Sequence, residues 1–216
     1  MQMVLVEGLE IDWLGHDAFR VRASGKTICF DPFRLKGNQP KADLVFISHD
    51  HFDHCSVEDI AKVKGPNTVI VAPENCTEKL EGVTPVIPGD DIDLDGIRVQ
   101  AVHAYNVNKF RSPGEPFHPK GFGVGYIVAI AGKRLYHGGD TDAIPEMKEF
   151  KKIDVALIPV SGTYVMTPEE AVRAAELLKP KIAIPMHYGS IVGSEKDARD
   201  FEKRYSGKTV VLKPVQ

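Results

Sequence analysis

The sequence predicts an α/β fold, of the α+β kind: a four-layer αββα sandwich in which two mixed sheets pack face to face and helices cover the outside. Three observations predict it. Short apolar, β-prone runs dominate the first part of the chain, strand and helix patterns alternate again in both halves, and the clearest helix pattern is amphipathic. Two facing sheets with helices outside are the arrangement that buries all these apolar faces.

The chain has 216 residues and a mass of 23.8 kDa, enough for one well-buried core and too little for two ordinary catalytic domains. We therefore expect a single domain over residues 1–216. A hydrophobic content of 43% and a charged content of 26% are typical of a globular protein, and a net charge of −3 offers no general attraction for nucleic acid.

The cysteines Cys29, Cys55 and Cys76 are odd in number and lack paired short spacing, so they indicate neither a disulfide framework nor a cysteine-based zinc site. The first twelve residues lack the basic and apolar regions of a signal peptide, and no apolar run approaches ~18 residues. We expect a cytoplasmic protein with reduced thiols and no membrane segment.

The first half of the chain is rich in strand patterns. Runs at residues 9–14, 18–23 and 27–31 predict an antiparallel meander with a hairpin turn at 24–26. Further runs predict strands at 44–47, 68–72, 83–87 and 97–102, a short helix at 75–81, and turns at 88–90 and 93–96. Ser56 begins a capping-box pattern for a helix that ends near Lys64, before Gly65 and Pro66.

Residues 105–121 interrupt this regularity with five glycines and prolines, and loops of such length are usually functional or disordered. Strand patterns then resume at 124–130, 133–136, 154–160 and 181–185. The clearest helix begins at Thr167, has Pro168 at its first position, and repeats apolar residues at spacings of three and four until Lys179. A helix at 194–205 and a strand at 209–212 complete the prediction.

Residues 49–54, which follow the strand at 44–47, contain three histidines and two aspartates. Such density is typical of metal binding; the alternatives are a polar surface loop or one structural metal, although structural zinc favours cysteine-rich sets. At a sheet edge, His49 and His51 can face one metal while Asp53 and His54 face a second. Two ions about 3.5–4 Å apart that share a water or hydroxide form a known hydrolytic arrangement.

The spacing His-x-His-x-Asp-His resembles the signature of the metallo-β-lactamase superfamily, in which a later acidic residue bridges both metals and a further histidine completes the second site. Two segments resemble those later motifs: Gly139-Asp140-Thr141 and Pro185-Met186-His187-Tyr188-Gly189. Three more resemble small metal-dependent hydrolases related to the ascorbate-6-phosphate lactonases: Trp13-Leu14-Gly15-His16, Asp31-Pro32-Phe33 and Tyr136-His137-Gly138-Gly139-Asp140-Thr141. The resemblance covers essentially the whole chain and also implies the αββα sandwich.

By this resemblance Asp140 is the bridging carboxylate, and we favour it over Asp142; the glycines before it let the backbone approach a metal closely. His187 follows its strand in the same manner. The third histidine of the first site stays open between His103, at a strand end, and His118, in the long loop. Asn106, which lies where the lactonase-like pattern has its histidine, is a weaker candidate.

Other residues are expected near the metals without binding them. Metal-bound imidazoles and carboxylates need outer partners that orient them, and we assign His16 and His137 to that role. In the long loop, Lys109, Arg111 and Lys120 could clamp a phosphate or carboxylate of the substrate by charge-assisted hydrogen bonds. An ordinary solvated loop is the alternative.

The predicted function is a metal-dependent hydrolase that uses a metal-bridged hydroxide on a small anionic lactone, ester or phosphoester. Metal ions lower the pKa of bound water towards ~7, and Asp53 is placed to orient that water or accept its proton. We expect two divalent ions, zinc first, with manganese, iron or nickel as alternatives.

Two other functions compete with a small-molecule hydrolase. A phosphodiesterase or nuclease acting on RNA or lipid is disfavoured, because the sequence has no extended basic arm or inserted domain. A non-catalytic metal-binding protein is less favoured because the ligand set is intact. A homo-oligomer is compatible with the sequence.

Overall fold

The computed structural model describes residues 4–215. A first sheet of seven strands keeps the order of the chain from one edge to the other. Its strands are β1 (Val4–Val6), β2 (Leu9–Gly15), β3 (Ala18–Ala23), β4 (Lys26–Phe30), β5 (Ala42–Phe46), β6 (Lys64–Pro73) and β7 (Val83–Val86). Strands β1 to β4 pair antiparallel, whereas β4 to β7 pair parallel.

A second sheet of six strands has the order β15-β14-β13-β12-β9-β8. Its strands are β8 (Asp91–Leu94), β9 (Ile97–Ala104), β12 (Gly123–Ile130), β13 (Lys133–His137), β14 (Val155–Pro159) and β15 (Ile182–Met186). Strands β13, β14 and β15 are parallel and the other pairs antiparallel. A small hairpin, β10 (Phe110–Ser112) and β11 (Glu115–Pro116), lies inside the predicted long loop.

The two sheets face each other across one apolar core. Phe19 and Phe46 of the first sheet belong to the same buried cluster as Val128 and Leu157 of the second. The hydroxyl of Tyr126, on β12, donates to the carbonyl of Ile47 at 2.8 Å, which satisfies a buried polar group. The sheets are therefore held together at the end where β5 runs into the histidine-rich loop.

Helices cover both outer faces. Helix α1 (Val57–Val63) buries Ile60 and Val63 in a separate apolar cluster with Cys29 and Val45 on the outside of the first sheet. Helices α2 (Pro168–Leu178) and α3 (Glu195–Arg204) pack against the second sheet. The predicted αββα sandwich of two mixed sheets is thus confirmed.

Helix α2 begins as the sequence predicts. Thr167 accepts a hydrogen bond from the peptide nitrogen of Glu170 at 3.2 Å, and Glu170 accepts one from the peptide nitrogen of Thr167 at 2.8 Å. This reciprocal cap satisfies two peptide groups that a helix end leaves unpaired, and such a cap stabilises a helix by about 1 kcal/mol.

Several details differ from the prediction. The short strands β1 and β8 were not predicted, because three or four residues carry little periodic signal. The helix expected at 75–81 is a 3₁₀ helix at Glu74–Glu78. The strand predicted at 209–212 is reduced to a single bridge between Thr209 and Ala183. Val210 and Val211 have a high β-propensity, but the edge of the sheet pairs with this segment only at that bridge.

Among the helices that the structure describes, none combines the length and the apolar composition needed to cross a bilayer.

Candidate metal centre

The histidine-rich loop leaves β5 at the edge where the parallel strands of both sheets end. The carbonyl of Ser48 accepts a hydrogen bond from the peptide nitrogen of Val124 on β12 at 2.8 Å, so the loop starts between the two sheets. The peptide nitrogens of His54 and Cys55 both donate to the carbonyl of His51. This turn buries the side chains of His49 and His54, whereas Phe52 stays exposed.

A first group of nitrogens, the first cluster, contains His49, His51 and His118. His51 Nδ1 lies 3.0 Å from His49 Nε2 and 3.2 Å from His118 Nε2. Asp140 Oδ2 lies 3.2 Å from the same His118 nitrogen. Three imidazole nitrogens thus lie within 4.8 Å of one another, and one oxygen of Asp140 lies beside that of His118.

A second group, the second cluster, contains Asp53, His54, Asp140 and His187. Asp140 Oδ1 lies 3.2 Å from His187 Nε2 and 3.4 Å from His54 Nε2. Asp53 Oδ2 lies 3.7 Å from the same His54 nitrogen. The two oxygens of Asp140 therefore face separate clusters, which is the geometry of a bridging carboxylate.

The glycine before Asp140 makes this approach feasible. Gly139 has a φ of +59°, and a Cβ built on it would lie 2.8 Å from the Cβ of Ser48. A larger residue would be strained by its backbone and would push the two loops apart. Asp142 points elsewhere: its Oδ2 accepts hydrogen bonds from the peptide nitrogens of Val107 and Asn108 and so holds the long loop.

The long loop folds back on itself and carries His118 to the first cluster. Asn106 Oδ1 accepts from both the peptide nitrogen and Nδ1 of His118, each at 2.9 Å, and Asn106 donates to the carbonyl of Tyr164 at 3.0 Å. Asn106 therefore orients the histidine and does not take its place. This contact joins residues twelve positions apart, which spacing alone does not reveal.

His103 is not brought to either cluster. It lies on β9 opposite Val124, its ring centre lies 6.2 Å from that of Tyr105, and its Nδ1 is buried without a hydrogen-bond partner. Of the two candidates that the sequence leaves open, the structure places only His118 beside His49 and His51.

Outer partners orient the inward-facing imidazoles. Asp31 accepts hydrogen bonds from His54 Nδ1 at 2.8 Å and from the hydroxyl of Ser48 at 2.6 Å. The hydroxyls of Ser48 and Ser161 lie 2.9 Å from Nδ1 of His49 and of His187, respectively. Such contacts fix the tautomer and direction of a metal-binding ring. No role at the site was predicted for Ser48 or Ser161; their only signal is that each lies two residues beyond the end of a strand.

His16 and His137, the two predicted outer histidines, differ in position. His16 Nε2 lies 3.1 Å from Asp53 Oδ2, and its ring centre lies 4.2 Å from that of His187, so it contacts the second cluster directly. His137 stacks on Phe30 at 4.9 Å and directs Nε2 to the carbonyl of Asp17 at 2.9 Å. It supports the backbone beneath the site.

Burial and neighbouring charge set the protonation of the clusters. Burial lowers the pKa of His49 and of His51, which favours the neutral form that binds metals. Burial also lowers the pKa of His187, but Asp140 and Asp17 raise it more, to about 9. Burial raises the pKa of Asp140, yet the charges of His187 and His54 hold it well below its ordinary value. In the metal-free protein, protons on imidazoles therefore balance the Asp140 carboxylate.

The donor set fits a divalent cation. His54 Nε2, His187 Nε2 and Asp140 Oδ1 are buried atoms without a hydrogen-bond partner, whereas buried polar atoms are nearly always paired. A cation between them would satisfy all three at once and replace the protons.

The three basic side chains expected to bind the substrate differ in whether an internal carboxylate already pairs with them. Lys109 is largely buried and pairs with Glu170 at 2.7 Å, and Lys120 pairs with Glu146 at 2.7 Å. Arg111 is exposed, with its guanidinium 5.7 Å from the ring centre of Phe117, and it has no carboxylate partner among residues 4–215. Only Arg111 is thus left to meet an anion without displacing an internal partner.

Comparison with known proteins finds relatives along almost the whole chain. The model of the beta-lactamase superfamily domain matches residues 10–187. A UPF0173 metal-dependent hydrolase of Methanopyrus kandleri is 34% identical over 227 aligned positions, covering 95% of this chain and 97% of the relative.

Two crystal structures have the same architecture. One, described as a metal-dependent hydrolase from Parabacteroides distasonis, has a TM-score of 0.87 and 32% identity and covers 100% of this chain and 98% of its own. The other, described as a zinc-dependent hydrolase of the metallo-beta-lactamase superfamily from Thermotoga maritima, has a TM-score of 0.66 and 26% identity and covers 94% of this chain and 97% of its own. With this fold, these clusters and these relatives, the chain belongs to the beta-lactamase superfamily and, within it, to the UPF0173 metal-dependent hydrolases.

Proposed function

We propose that this metal-dependent hydrolase works with two divalent ions, one in each cluster. The first ion would be held by His49, His51, His118 and Asp140, and the second by Asp53, His54, Asp140 and His187. The observation that carries the proposal is the position of Asp140, whose two oxygens face the two clusters at 3.2 Å from His118 and 3.2 Å from His187. A single ion in one cluster would leave the histidines of the other cluster, and the Asp140 oxygen that faces them, without a ligand role.

Bound divalent ions supply a water of lowered pKa and polarise the oxygen of a carbonyl or phosphoryl group. Asp53 is the residue that we assign to orient that water and accept its proton. Burial raises the pKa of Asp53, but the hydrogen bond from His16 lowers it by more. The carboxylate is therefore charged, and the same hydrogen bond fixes its direction. His16 is then the positioning residue for Asp53.

The chemistry of the two positions bears on the choice of metal. Three imidazoles and one carboxylate oxygen suit zinc at the first position, and the Thermotoga maritima relative is described as zinc-dependent. The second position contains more carboxylate, which manganese or iron also accept. Zinc is therefore the first ion to test, followed by manganese, iron and nickel.

The shape and charge beside the first cluster favour a small anionic substrate. A cavity of about 460 Å³ is lined by Arg111, Phe117, Pro119 and Phe122, among others, and the ring centre of Phe122 lies 5.2 Å from that of His51. Glu115 also lines the cavity, and its carboxylate accepts a hydrogen bond from the Ser112 hydroxyl at 2.8 Å. The apolar wall and the guanidinium of Arg111, which has no carboxylate partner, suit a lactone, ester or phosphoester that carries a carboxylate or phosphate. The relation to the ascorbate-6-phosphate lactonases stays a prediction.

Metal analysis of His118→Ala beside His103→Ala tests the two-ion proposal. Wild type is expected to hold two equivalents of metal, His118→Ala about one, and His103→Ala two, because only His118 lies in the first cluster. Elemental analysis of protein purified with one defined metal supply measures this, together with hydrolysis of a panel of lactones and phosphoesters. One equivalent or none in wild type would contradict the proposal.

Arg111→Gln tests the anionic substrate. Loss of one charge-assisted contact of ~1.5 kcal/mol is expected to raise KM for an anionic ester about 10-fold, with little change in kcat. Lys120→Ala is the matched control from the same loop, and its effect should be smaller, because Lys120 is already paired with Glu146. On a neutral amide analogue, Arg111→Gln and wild type should have the same KM. The same KM on the anionic ester as well would show that Arg111 does not bind the substrate.

A further inference from the structure

The tip of the hairpin between β2 and β3 is buried. Its two residues, His16 and Asp17, are 1% and 0% exposed. Connecting turns normally lie at the surface and carry polar side chains into solvent. Here an imidazole and a carboxylate lie at a turn that is buried next to the candidate metal centre.

Backbone contacts hold this tip in place. The carbonyl of His16 accepts hydrogen bonds from Trp13 Nε1 at 2.8 Å and from the peptide nitrogen of His187 at 3.2 Å. The carbonyl of Asp17 lies 2.9 Å from His137 Nε2. His16 also has a φ of +53°, a conformation that costs energy outside glycine and recurs at functional sites.

The side chain of Asp17 has no such partners. Neither carboxylate oxygen has a hydrogen-bond partner, and Oδ2 lies 3.8 Å from His54 Nδ1. Burying an unpaired carboxylate is expensive unless it is paired or coordinates a metal. Among the residues that the structure describes, nothing requires a carboxylate here for packing or for a hydrogen bond.

Asp17 nevertheless lies in reach of the second cluster. Asp17, His54, Asp140 and His187 each offer one ligand atom within 4.8 Å of the others. The outer nitrogens of His54 and His187 are already held by Asp31 and Ser161. Asp31 and Ser161 therefore already orient these rings, and Asp17 is not needed for that. Its carboxylate can instead act on a cation held by the same histidines.

We propose that Asp17 is a further carboxylate donor to the second metal position and that it makes this position select a hard divalent cation such as Mn²⁺. The inference rests on the two-ion proposal above and extends it. Asp17 and Asp140 place two carboxylates beside the imidazoles of His54 and His187. Such oxygen donors suit manganese, whereas the three imidazoles of the first position suit zinc.

Removal of the metal from loaded protein tests the inference. Wild type, Asp17→Asn and Asp17→Ala are loaded with Mn²⁺ and titrated with a chelator, and the bound Mn²⁺ is counted by elemental analysis and by electron paramagnetic resonance. Both variants should release one equivalent at a chelator concentration at least about 10-fold below that of wild type. With Zn²⁺ the difference should be smaller. Asp142→Asn, at a buried aspartate whose Oδ2 accepts hydrogen bonds from the peptide nitrogens of Val107 and Asn108, should match wild type in both titrations.

The outcomes separate this inference from the proposed function. Wild type that binds fewer than two equivalents would overturn both. Wild type with two equivalents, and Asp17 variants that release both at the wild-type chelator concentration, would overturn only the role of Asp17 and leave the dinuclear centre standing.

Thermal unfolding with and without metal distinguishes a metal ligand from a residue that only stabilises the packing. Without metal, Asp17→Ala should unfold at a temperature equal to or above that of wild type, because the variant no longer buries a carboxylate without partners. The rise in Tm on adding Mn²⁺ should be smaller than in wild type. A lower metal-free Tm with an unchanged metal-induced rise would identify Asp17 as a structural residue and overturn the inference.

Discussion

Asp140→Asn is expected to abolish the two-ion centre and to lower kcat/KM at least about 10³-fold, equivalent to ~4 kcal/mol of transition-state stabilisation. An asparagine retains one oxygen, so it can serve one cluster only. Its amide nitrogen would face the other cluster as a hydrogen-bond donor and cannot bind a cation there. Metal content by elemental analysis and hydrolysis of the best substrate in the panel measure the two effects.

Asp142→Asn is the matched control for Asp140→Asn. Asp142 is also buried and lies two residues further along the chain, but its Oδ2 accepts hydrogen bonds from Val107 and Asn108 at 2.7 and 3.1 Å. The side-chain oxygen of asparagine can still accept these bonds, so this variant should keep two equivalents of metal. Loss of metal from Asp142→Asn with full occupancy of Asp140→Asn would reverse the assignment of the bridging carboxylate.

Asp12→Asn is expected to lower the free energy of unfolding by about 3–5 kcal/mol, the usual result of removing one partner from a buried ion pair. The side chain of Asp12 is 0% exposed, and its Oδ2 accepts from Arg20 at 2.7 Å and from Arg22 at 2.9 Å. Arg20 is also nearly buried, so the variant leaves a buried guanidinium without its carboxylate. Urea denaturation of wild type and variant at neutral pH measures the difference.

The same network predicts how stability depends on pH. Burial raises the pKa of Asp12, but the hydrogen bonds and charges of Arg22 and Arg20 outweigh burial and lower it below 3.8. A lowered pKa in the folded state means that the stabilisation is present above the ordinary value and is lost as the pH falls through the folded value. The gap between wild type and Asp12→Asn should therefore shrink in acid.

Glu10→Gln provides the surface control for this network. Glu10 accepts from Arg22 at 3.0 Å, but its side chain is 40% exposed, and exposed ion pairs contribute about 0–1 kcal/mol. A loss in Asp12→Asn no larger than that in Glu10→Gln would show that the buried network does not stabilise the sheet.

Regular periodicity accounts for most of the fold that the sequence predicted. Apolar runs such as residues 44–47 and the capped helix from Thr167 carry their signal within a few residues, so they were found. Strand β1, strand β8 and the reduced pairing at Thr209 depend on whether a neighbouring strand offers a free edge. That is a property of the assembled sheet and leaves no local pattern.

The sequence by itself determined the kind of centre: His49, His51, Asp53 and His54 lie within six positions, and such density of ligand atoms signals metal whatever surrounds it. The tertiary structure decided the remainder. It brought His118 to the first cluster through Asn106, left His103 outside, paired Lys109 and Lys120 with internal carboxylates, and buried Asp17 beneath the second cluster. These outcomes depend on contacts between residues far apart in the chain, which no spacing along the sequence encodes.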